Sequence, residues 1–303
     1  MGINWIEIIN PGARRGAFKS ALFDFDGTIS LIREGWQQVM KPYFCEVLGQ
    51  AAQGGAVGDD GGGGAGADSP GGAVGADNAD VYANGETRTE IERCVHDFVD
   101  FLTGKQTIYQ CIQLAEEVEK RGGAPLDPQA YKDEYHNRLM ARINHRIEAL
   151  AAGRAVPRDY AVPGSLEFLA ALRERGIDVY LASGTDEKYV LNECSLLGAG
   201  AYCNGGVYGA QQEYKLFSKK MVVEKILREN DLHGDELVGF GDGYVEIENI
   251  KEAGGFAVGV ATDEVNRRGV DEWKRGRLIQ AGADIIVPDF SGTEELLAFL
   301  FGG

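Results

Sequence analysis

The sequence is short of positive charge and of long apolar runs. Its 30 Lys and Arg residues face 47 Asp and Glu residues, which gives a formal net charge of -17 at pH 7. Because nucleic-acid affinity depends on clustered Lys and Arg, this balance argues against nucleic acid and against a membrane surface as partners. No apolar stretch approaches the roughly 20 residues that span a bilayer, and the run at 5–9 is too short for a signal peptide. We therefore expect a cytoplasmic protein.

Cysteine and histidine are also scarce. The five cysteines include no Cys-x-x-Cys pair, so the sequence predicts neither a disulfide framework nor a zinc site. The four histidines show no metal-ligand spacing and stand near no Ser or Cys motif that they could serve. The 303 residues, with a hydrophobic content of 44%, still suffice for a sizeable core in one large or two moderate domains.

Residues 51–86 differ in composition from the rest of the chain. They are rich in Gly, Ala and Asp and contain few side chains that could be buried, so we expect a flexible insertion. No Lys-Ser or Lys-Thr follows the glycines, which excludes a phosphate-binding P-loop.

Helical periodicity dominates on both sides of that insertion. Apolar residues recur at helical spacing over 31–48, where Pro42 is expected to kink or restart the helix. Three further stripes follow, over 91–102, 108–118 and 131–150. The pattern predicts about four helices and no clear strand, and hence a small helical domain over 31–157.

From Val162 onward the pattern alternates between helices and short apolar strands, which is typical of a parallel sheet with crossover helices. The strand that precedes Asp24 lies far upstream and must join the same sheet. The sequence therefore predicts an α/β core made of 1–30 and 158–303, into which the helical domain is inserted. The predicted strands are 177–182, 201–203, 237–241, 256–260 and 285–287; the predicted helices are 163–175, 188–197, 218–229, 246–253, 273–281 and 293–301.

Polar groups that could carry chemistry follow several of these strands. Asp24–Thr28 reads Asp-Phe-Asp-Gly-Thr, and Ser183–Thr185 offers a hydroxyl and backbone N–H groups suited to an anion. Lys219-Lys220 begins a helix, and Gly241–Gly243 precedes Glu246 by one turn. Alone, Asp-x-Asp-Gly could be an ordinary turn. In open α/β sheets, however, ligands collect beyond the carboxyl ends of the strands, so these groups are expected to converge.

In this order, the four motifs resemble those of the haloacid dehalogenase superfamily. The resemblance covers residues 20–290 apart from the Gly-rich insertion, and its strongest element is the Asp24–Thr28 motif. It implies a Rossmann-like core with an α-helical cap between the first and second motifs, as in phosphoglycolate phosphatase-like and β-phosphoglucomutase-like members. The 31–157 block would then be the cap.

The resemblance also implies catalytic roles. Asp24 would be the nucleophile that accepts a phosphoryl group, and Asp26 the general acid that protonates the leaving oxygen and then activates water. Members that cleave carbon–halogen bonds lack an acid at the position of Asp26, which favours a phosphate ester as substrate. Lys219 follows Ser218 in a pattern that resembles the third motif, so we prefer it to Lys220 as the catalytic lysine.

Mg²⁺ is the cofactor that the resemblance implies. It would be held by the Asp24 carboxylate, the Asp26 backbone carbonyl and the Asp242 carboxylate. Glu246 occupies a position that is usually Asp in the family. It could contact the metal directly or through water, or could instead be a first-turn carboxylate favoured by the helix dipole.

Ser183 and the Gly184 backbone are expected to bind the transferring phosphate, with help from Thr28, although a Ser after a strand could also be a helix cap. Arg33 and Lys105 are polar groups of the predicted cap that could reach a substrate. Both are also compatible with a solvated helix face or loop.

The sequence thus predicts a Mg²⁺-dependent phosphatase acting on a small phosphorylated metabolite, such as a sugar phosphate or phosphoglycolate. A phosphomutase of the β-phosphoglucomutase type is an alternative because it uses the same pair of aspartates. A non-catalytic binding protein with this fold is a third hypothesis. The physiological substrate and the oligomeric state cannot be read from the sequence.

Overall fold

The computed structural model describes residues 5–54 and 81–302. Contacts divide the described residues into two compact units. The first contains those of Met1–Glu34, Thr103–Thr107 and Met140–Gly303, and the second those of Gly35–Leu102 and Ile108–Leu139. The domain boundaries at 31 and 157 stay a prediction; they differ from this division because residues 31–34, 103–107 and 140–157 group with the first unit.

The first unit is built on a sheet that contains seven strands among the described residues, in the order β1-β7-β6-β5-β2-β3-β4. All neighbouring strands are parallel except β1, which pairs with β7 in the antiparallel direction. The strands are β1 Glu7–Ile8, β2 Ser20–Phe23, β3 Asp178–Asp186, β4 Gly206–Ala210, β5 Leu237–Gly241, β6 Phe256–Val260 and β7 Ile285–Val287.

Ten α-helices are found among the described residues: α1 Gln37–Ala52, α2 Arg88–Leu102, α3 Thr107–Lys120, α4 Pro128–Ala151, α5 Ser165–Glu174, α6 Glu187–Leu196, α7 Lys219–Glu229, α8 Tyr244–Glu252, α9 Glu272–Gln280 and α10 Thr293–Phe301. From β3 onward, helices and strands alternate, as the crossover connections of a parallel sheet require.

Apolar residues cover both faces of the sheet because successive side chains of a strand point to opposite faces. Leu22 belongs to a cluster on one side with residues of α7 and α8, such as Val223 and Ile250. Phe23 packs with three other buried aromatic rings, those of Phe168, Phe240 and Phe290, at centroid distances of 4.4–6.2 Å. The central strands are therefore buried on both sides.

The strand register brings the carboxyl ends of β2 and β5 level with the middle of β3, which continues to Asp186 and so contains Ser183–Thr185 instead of ending before them. Phe23 pairs with Leu181 of β3 and with Phe240 of β5. The residues that come directly after Phe23, Leu181 and Phe240 consequently lie side by side. This edge holds Asp24, Ser183 and Asp242.

The second unit is helical, and its core is made of the stripes that the sequence shows. Buried residues recur every three or four positions on each helix, including Phe44 and Leu48 on α1, Val95 and Val99 on α2, and Tyr131 on α4. In α1 the helix runs through Pro42 without a break. Of the two outcomes predicted for Pro42, the restart is not found, and the kink stays a prediction.

Of the predicted insertion at 51–86, residues 55–80 lie outside the described residues. The described parts are regular: residues 51–52 end α1, and a tight turn at 82–85 is closed by a hydrogen bond from Gly85 N to Tyr82 O of 2.9 Å. Within the described ranges, no helix has both the length and the apolar character needed to cross a membrane.

The α/β class and the parallel sheet with an added set of helices are confirmed. The strands over 237–241, 256–260 and 285–287 are found with the predicted bounds. The strand predicted at 201–203 is wrong: a 3₁₀ helix covers Ala199–Ala201, and β4 lies later, at Gly206–Ala210. β4 is an edge strand whose first three residues are only partly buried, so it lacks the continuous apolar run of a strand that is buried on both faces.

The aromatic cluster predicts a stability effect. Phe168→Ala should lower the free energy of unfolding by about 3–5 kcal/mol, because it leaves a cavity among three other buried rings. Phe101→Ala is the matched control, since the Phe101 side chain is 67% exposed. Chemical denaturation measures both, and equal losses would contradict the assignment of Phe168 to the core.

Candidate active site

The loop after β2 forms the centre of the site. The backbone N–H of Asp24 donates to the carbonyl of Phe240 at 2.9 Å, which extends the strand by one residue. The chain then turns sharply, because the carbonyl of Phe25 accepts from the N–H groups of Ile29 and Ser30 at 2.9 and 2.8 Å. Asp24 itself is buried. The fold therefore holds a carboxylate away from bulk water at the end of a central strand.

Lys219 contacts that carboxylate. Ser218 caps α7, since its hydroxyl accepts from Met221 N at 3.2 Å, and this places Lys219 in the first turn. Its Nζ donates to Asp24 Oδ1 at 2.7 Å and also to Glu246 Oε1, which lies in the first turn of α8. Lys220 points elsewhere and pairs with the exposed Glu252 at 2.8 Å. Of the two adjacent lysines, the structure brings only Lys219 to Asp24.

The charge of Asp24 is perturbed by its surroundings. Burial raises the pKa of Asp24 to about 7, Lys219 opposes this shift, and the negative charge of Asp242 adds to it. A carboxyl group at this position is consequently poised between its neutral and ionised forms near neutral pH.

Asp26 is oriented by hydroxyl groups from β3. Its Oδ2 accepts from Ser183 Oγ at 3.2 Å and from Thr185 Oγ1 at 2.9 Å. Its Oδ1 is buried and accepts no hydrogen bond from the described residues, although the Arg33 guanidinium lies 3.8 Å away. One oxygen is thus fixed, and the other is left to interact with a further group.

Arg33 is buried beside this aspartate. Its guanidinium donates to both carboxylate oxygens of Glu193, with a shortest distance of 2.6 Å. Burial raises the pKa of Glu193, and Arg33 opposes that shift. The solvated position considered for Arg33 is not what the structure shows, because an ion pair with α6 holds the side chain against the core.

Gly184 is in close contact with the segment that connects α2 and α3. A side chain at Gly184 would lie 2.9 Å from the carbonyl oxygen of Lys105, so only glycine allows this approach. The Lys105 side chain is exposed, whereas Gln106 is buried and donates to the carbonyl of Phe217 at 2.7 Å. The backbone of this connection is therefore in contact with Gly184.

Asp242 follows β5 and packs against the loop of Asp24. Gly27 has a φ of +78°, and a Cβ there would collide with the Asp242 carboxylate. Thr28 Oγ1 donates to Asp242 Oδ1 over a long 3.4 Å, while Lys274 Nζ donates to Oδ2 at 2.7 Å. Lys274 also contacts Glu264, at 2.5 Å.

Lys274 carries its charge despite its burial. Burial lowers the pKa of Lys274, but Asp242 and Glu264 outweigh this and raise the pKa above its ordinary value. Burial also raises the pKa of Glu264, which Lys274 opposes. Neither Lys274 nor Glu264 was singled out by the sequence, since each lies in a polar segment that reads as solvent-facing.

The donor types at this edge of the sheet are those that a divalent cation prefers. Asp24, Asp26 and Asp242 lie at this edge, and Mg²⁺ prefers carboxylate and carbonyl oxygens. Two buried oxygens of the site, Asp26 Oδ1 and Glu246 Oε2, accept no hydrogen bond from the described residues. Within the described ranges no three acidic, His or Cys side chains already surround one point; lysine ammonium groups lie between the carboxylates instead.

The contact between Gly27 and Asp242 gives a prediction. Gly27→Ala should destabilise the protein by more than the roughly 1–2 kcal/mol that a positive φ alone costs a residue with a Cβ, because the new methyl group also displaces Asp242. Gly176→Ala is the control, since its φ is +76° and it has open space around it. Thermal or chemical unfolding of both variants tests this, and equal losses would contradict it.

Solved structures show the same fold. A predicted phosphoglycolate phosphatase from Haemophilus somnus 129PT is 14% identical and has a TM-score of 0.55, with 92% of this chain and 98% of that chain covered. A predicted phosphatase from Clostridium acetobutylicum is 14% identical, with the same coverages and a TM-score of 0.54. CbbY from Rhodobacter sphaeroides, in complex with phosphate, is 16% identical over 90% of this chain and 95% of its own, with a TM-score of 0.50.

A search of the curated proteins found no match to this chain. The family model for haloacid dehalogenase-like hydrolases matches residues 18–254. That range contains Asp24, Asp26, Ser183, Lys219 and Asp242 and covers well over half of the chain. The chain therefore belongs to the haloacid dehalogenase-like hydrolases.

Proposed function

We propose that this hydrolase is a Mg²⁺-dependent phosphatase that cleaves a small phosphorylated metabolite through a phosphoaspartyl intermediate. The observation that carries the proposal is the arrangement of two carboxylates with different surroundings on one loop. Asp24 is buried and contacts a lysine, whereas Asp26 is held by hydroxyl groups at one oxygen only. Such a division suits a nucleophile and a general acid.

Asp24 acts first. Its carboxylate attacks phosphorus, and the bond between phosphorus and the ester oxygen breaks. Lys219 contacts Asp24 Oδ1 at 2.7 Å, so its positive charge offsets the repulsion between the carboxylate and the anionic phosphate. Thr28 and the Gly184 backbone N–H supply further donors for the phosphate oxygens, whereas the Ser183 hydroxyl, which the sequence assigned to the phosphate, donates to Asp26 Oδ2 instead.

Asp26 moves the proton. Ser183 and Thr185 hold its Oδ2, so the proton is carried at Oδ1 and passes to the leaving oxygen, which departs as an alcohol. Asp26, now ionised, then removes a proton from the water that attacks the phosphoaspartate. This step releases inorganic phosphate and regenerates both aspartates in their starting forms.

The proposed metal ligands are the Asp24 and Asp242 carboxylates and the Asp26 backbone carbonyl, with Glu246 nearby. When bound, Mg²⁺ would neutralise charge on the phosphate. Membership of the hydrolase family supports the reaction, and the likeness to CbbY in complex with phosphate supports a phosphorylated substrate.

The experiment is an assay of phosphate release from sugar phosphates and phosphoglycolate, with and without Mg²⁺. Asp24→Asn should abolish turnover because it removes the nucleophile. Lys219→Met should lower kcat roughly 100-fold or more, the loss expected for one electrostatic contact in an active site. Lys220→Met is the matched control and should leave the rate unchanged, since Lys220 pairs with Glu252 at the surface.

Turnover that survives Asp24→Asn, or that is independent of Mg²⁺, would overturn the mechanism. Conversion of a sugar 1-phosphate to its isomer without phosphate release would instead identify a phosphomutase, which uses the same two aspartates.

The raised pKa of Asp24 predicts that Mg²⁺ binding depends on pH. The metal binds the ionised carboxylate, and burial raises the pKa of Asp24 to about 7, so protons compete with the metal below neutral pH. The Kd for Mg²⁺ should fall about tenfold between pH 6 and pH 8. Calorimetry measures this Kd. The Asp24→Asn variant should bind Mg²⁺ more weakly, and its Kd should change less with pH. An equally steep change of Kd with pH in that variant would assign the proton to another group.

A further inference from the structure

A second lysine, largely shielded from solvent, completes the charge arrangement of the site. Lys219 lies between the carboxylates of Asp24 and Glu246. Lys274 lies in the same way between Asp242, at 2.7 Å, and Glu264, at 2.5 Å. Lys219 thus contacts Asp24, the proposed nucleophile, whereas Lys274 contacts Asp242, which is proposed to bind the metal.

Contacts at the start of α9 hold Lys274 in place. Asp271 caps α9, because its carboxylate accepts from the backbone N–H of Lys274 at 3.0 Å. The backbone of Asp271 in turn donates to the carbonyl of Ala261, directly after β6, at 2.8 Å. The start of α9 is thereby fixed to the same sheet edge that carries Asp242.

Glu264 is fixed as firmly. It lies in the 261–271 loop, which is bridged between Thr262 and Val270. In the same loop Arg267 donates to the carbonyl oxygens of Arg158, Asp159 and Ala161 at 2.5–2.9 Å. The side chains of Lys274 and Glu264 are only 11% and 18% exposed, so this pair is not a mobile surface ion pair.

The contacts of Asp242 leave one oxygen for a cation. Lys274 occupies Oδ2, while Oδ1 receives only the long contact from Thr28, at 3.4 Å. A fixed ammonium beside a metal ligand lowers the attraction that the ligand exerts on a divalent ion. Glu264 offsets the ammonium in turn, so the two side chains act on the metal in opposite directions.

We propose that Lys274 is a positioning residue that, balanced by Glu264, sets the Mg²⁺ affinity of the site as a built-in counter-ion of Asp242. This inference rests on the metal of the proposed function, and its test does not use turnover. If the pair merely stabilised α9, removal of either partner would weaken both folding and metal binding. A counter-ion role requires the two removals to shift metal affinity in opposite directions.

The test is calorimetric titration of the metal-stripped full chain with MgCl₂, without substrate. Lys274→Met should lower the Kd roughly tenfold, because it removes one positive charge beside Asp242. Glu264→Gln should raise the Kd several-fold, because the ammonium then acts on Asp242 without its counter-charge. The double variant should return close to the wild-type Kd, and Lys274→Arg, which keeps the charge, should also stay close to it.

Lys251→Met is the matched control. Lys251 also pairs with a buried carboxylate of the first unit, Asp284, at 2.8 Å, so its loss changes net charge by the same amount and costs a comparable ion pair. Its Kd for Mg²⁺ should not change, which separates a local effect of Lys274 from the effect of total charge. Thermal unfolding in EDTA confirms that each variant is folded.

Equal Kd values for wild type, Lys274→Met and Glu264→Gln would overturn the inference and leave the proposed function standing. A shift of both single variants toward weaker binding would also overturn it, in favour of a purely structural ion pair. A wild-type protein that binds no Mg²⁺ would overturn the metal of the proposed function and this inference together.

Discussion

Repulsion between carboxylates that lie close together is the constraint on which the site depends. Five acidic side chains lie near one edge of the sheet: Asp24, Asp26, Asp242, Glu246 and Glu264. Placing like charges together away from water is unfavourable unless each is paired or hydrogen-bonded. Two lysines meet this need for four of the five: Lys219 lies between Asp24 and Glu246, and Lys274 lies between Asp242 and Glu264. The fifth, Asp26, accepts from the hydroxyl groups of Ser183 and Thr185. The helices α7 and α9 therefore contribute charge as well as packing.

The sheet supplies the geometry in which this compensation works. Because β2 lies between β3 and β5, one loop can contact groups from both neighbours. Ser183 and Thr185 approach Asp26 from β3, and Asp242 approaches Gly27 from β5. The absence of a side chain at Gly27 lets these loops meet. Backbone register and one glycine thus fix the relative positions of the acidic groups.

Much of this could be predicted from the sequence because the relevant patterns are local. The strand at 256–260 is a short apolar run preceded by two glycines, and the structure has it with the predicted bounds. The prediction of a strand at 201–203 was wrong because a 3₁₀ helix covers Ala199–Ala201, and the observed strand, β4, lies later at Gly206–Ala210. As an edge strand whose first three residues are only partly buried, β4 lacks the continuous apolar run by which a central strand is recognised.

The motif residues could be placed at one edge from strand ends alone, but their partners could not. Glu193 and Lys274 occur on helices with many other charged residues, and a single charge in such a pattern predicts a solvated face. Their burial arises from the tertiary packing of α6 and α9 against loops distant in the chain. Glu193 does lie on the buried stripe of α6 with Val190 and Cys194, but periodicity within one helix cannot name Arg33, distant in the chain, as its partner.

The short strand β1 has a consequence beyond the site. A parallel sheet ends in a strand whose outer N–H and C=O groups can pair with another molecule. Here Glu7 and Ile8 pair with Ile286 and Ile285 of β7, and Glu7 is tied to Arg275 of α9 by two hydrogen bonds of 2.5–2.6 Å. The N-terminal segment thus protects one border of the sheet against intermolecular strand addition, and an ion pair keeps this cover in place.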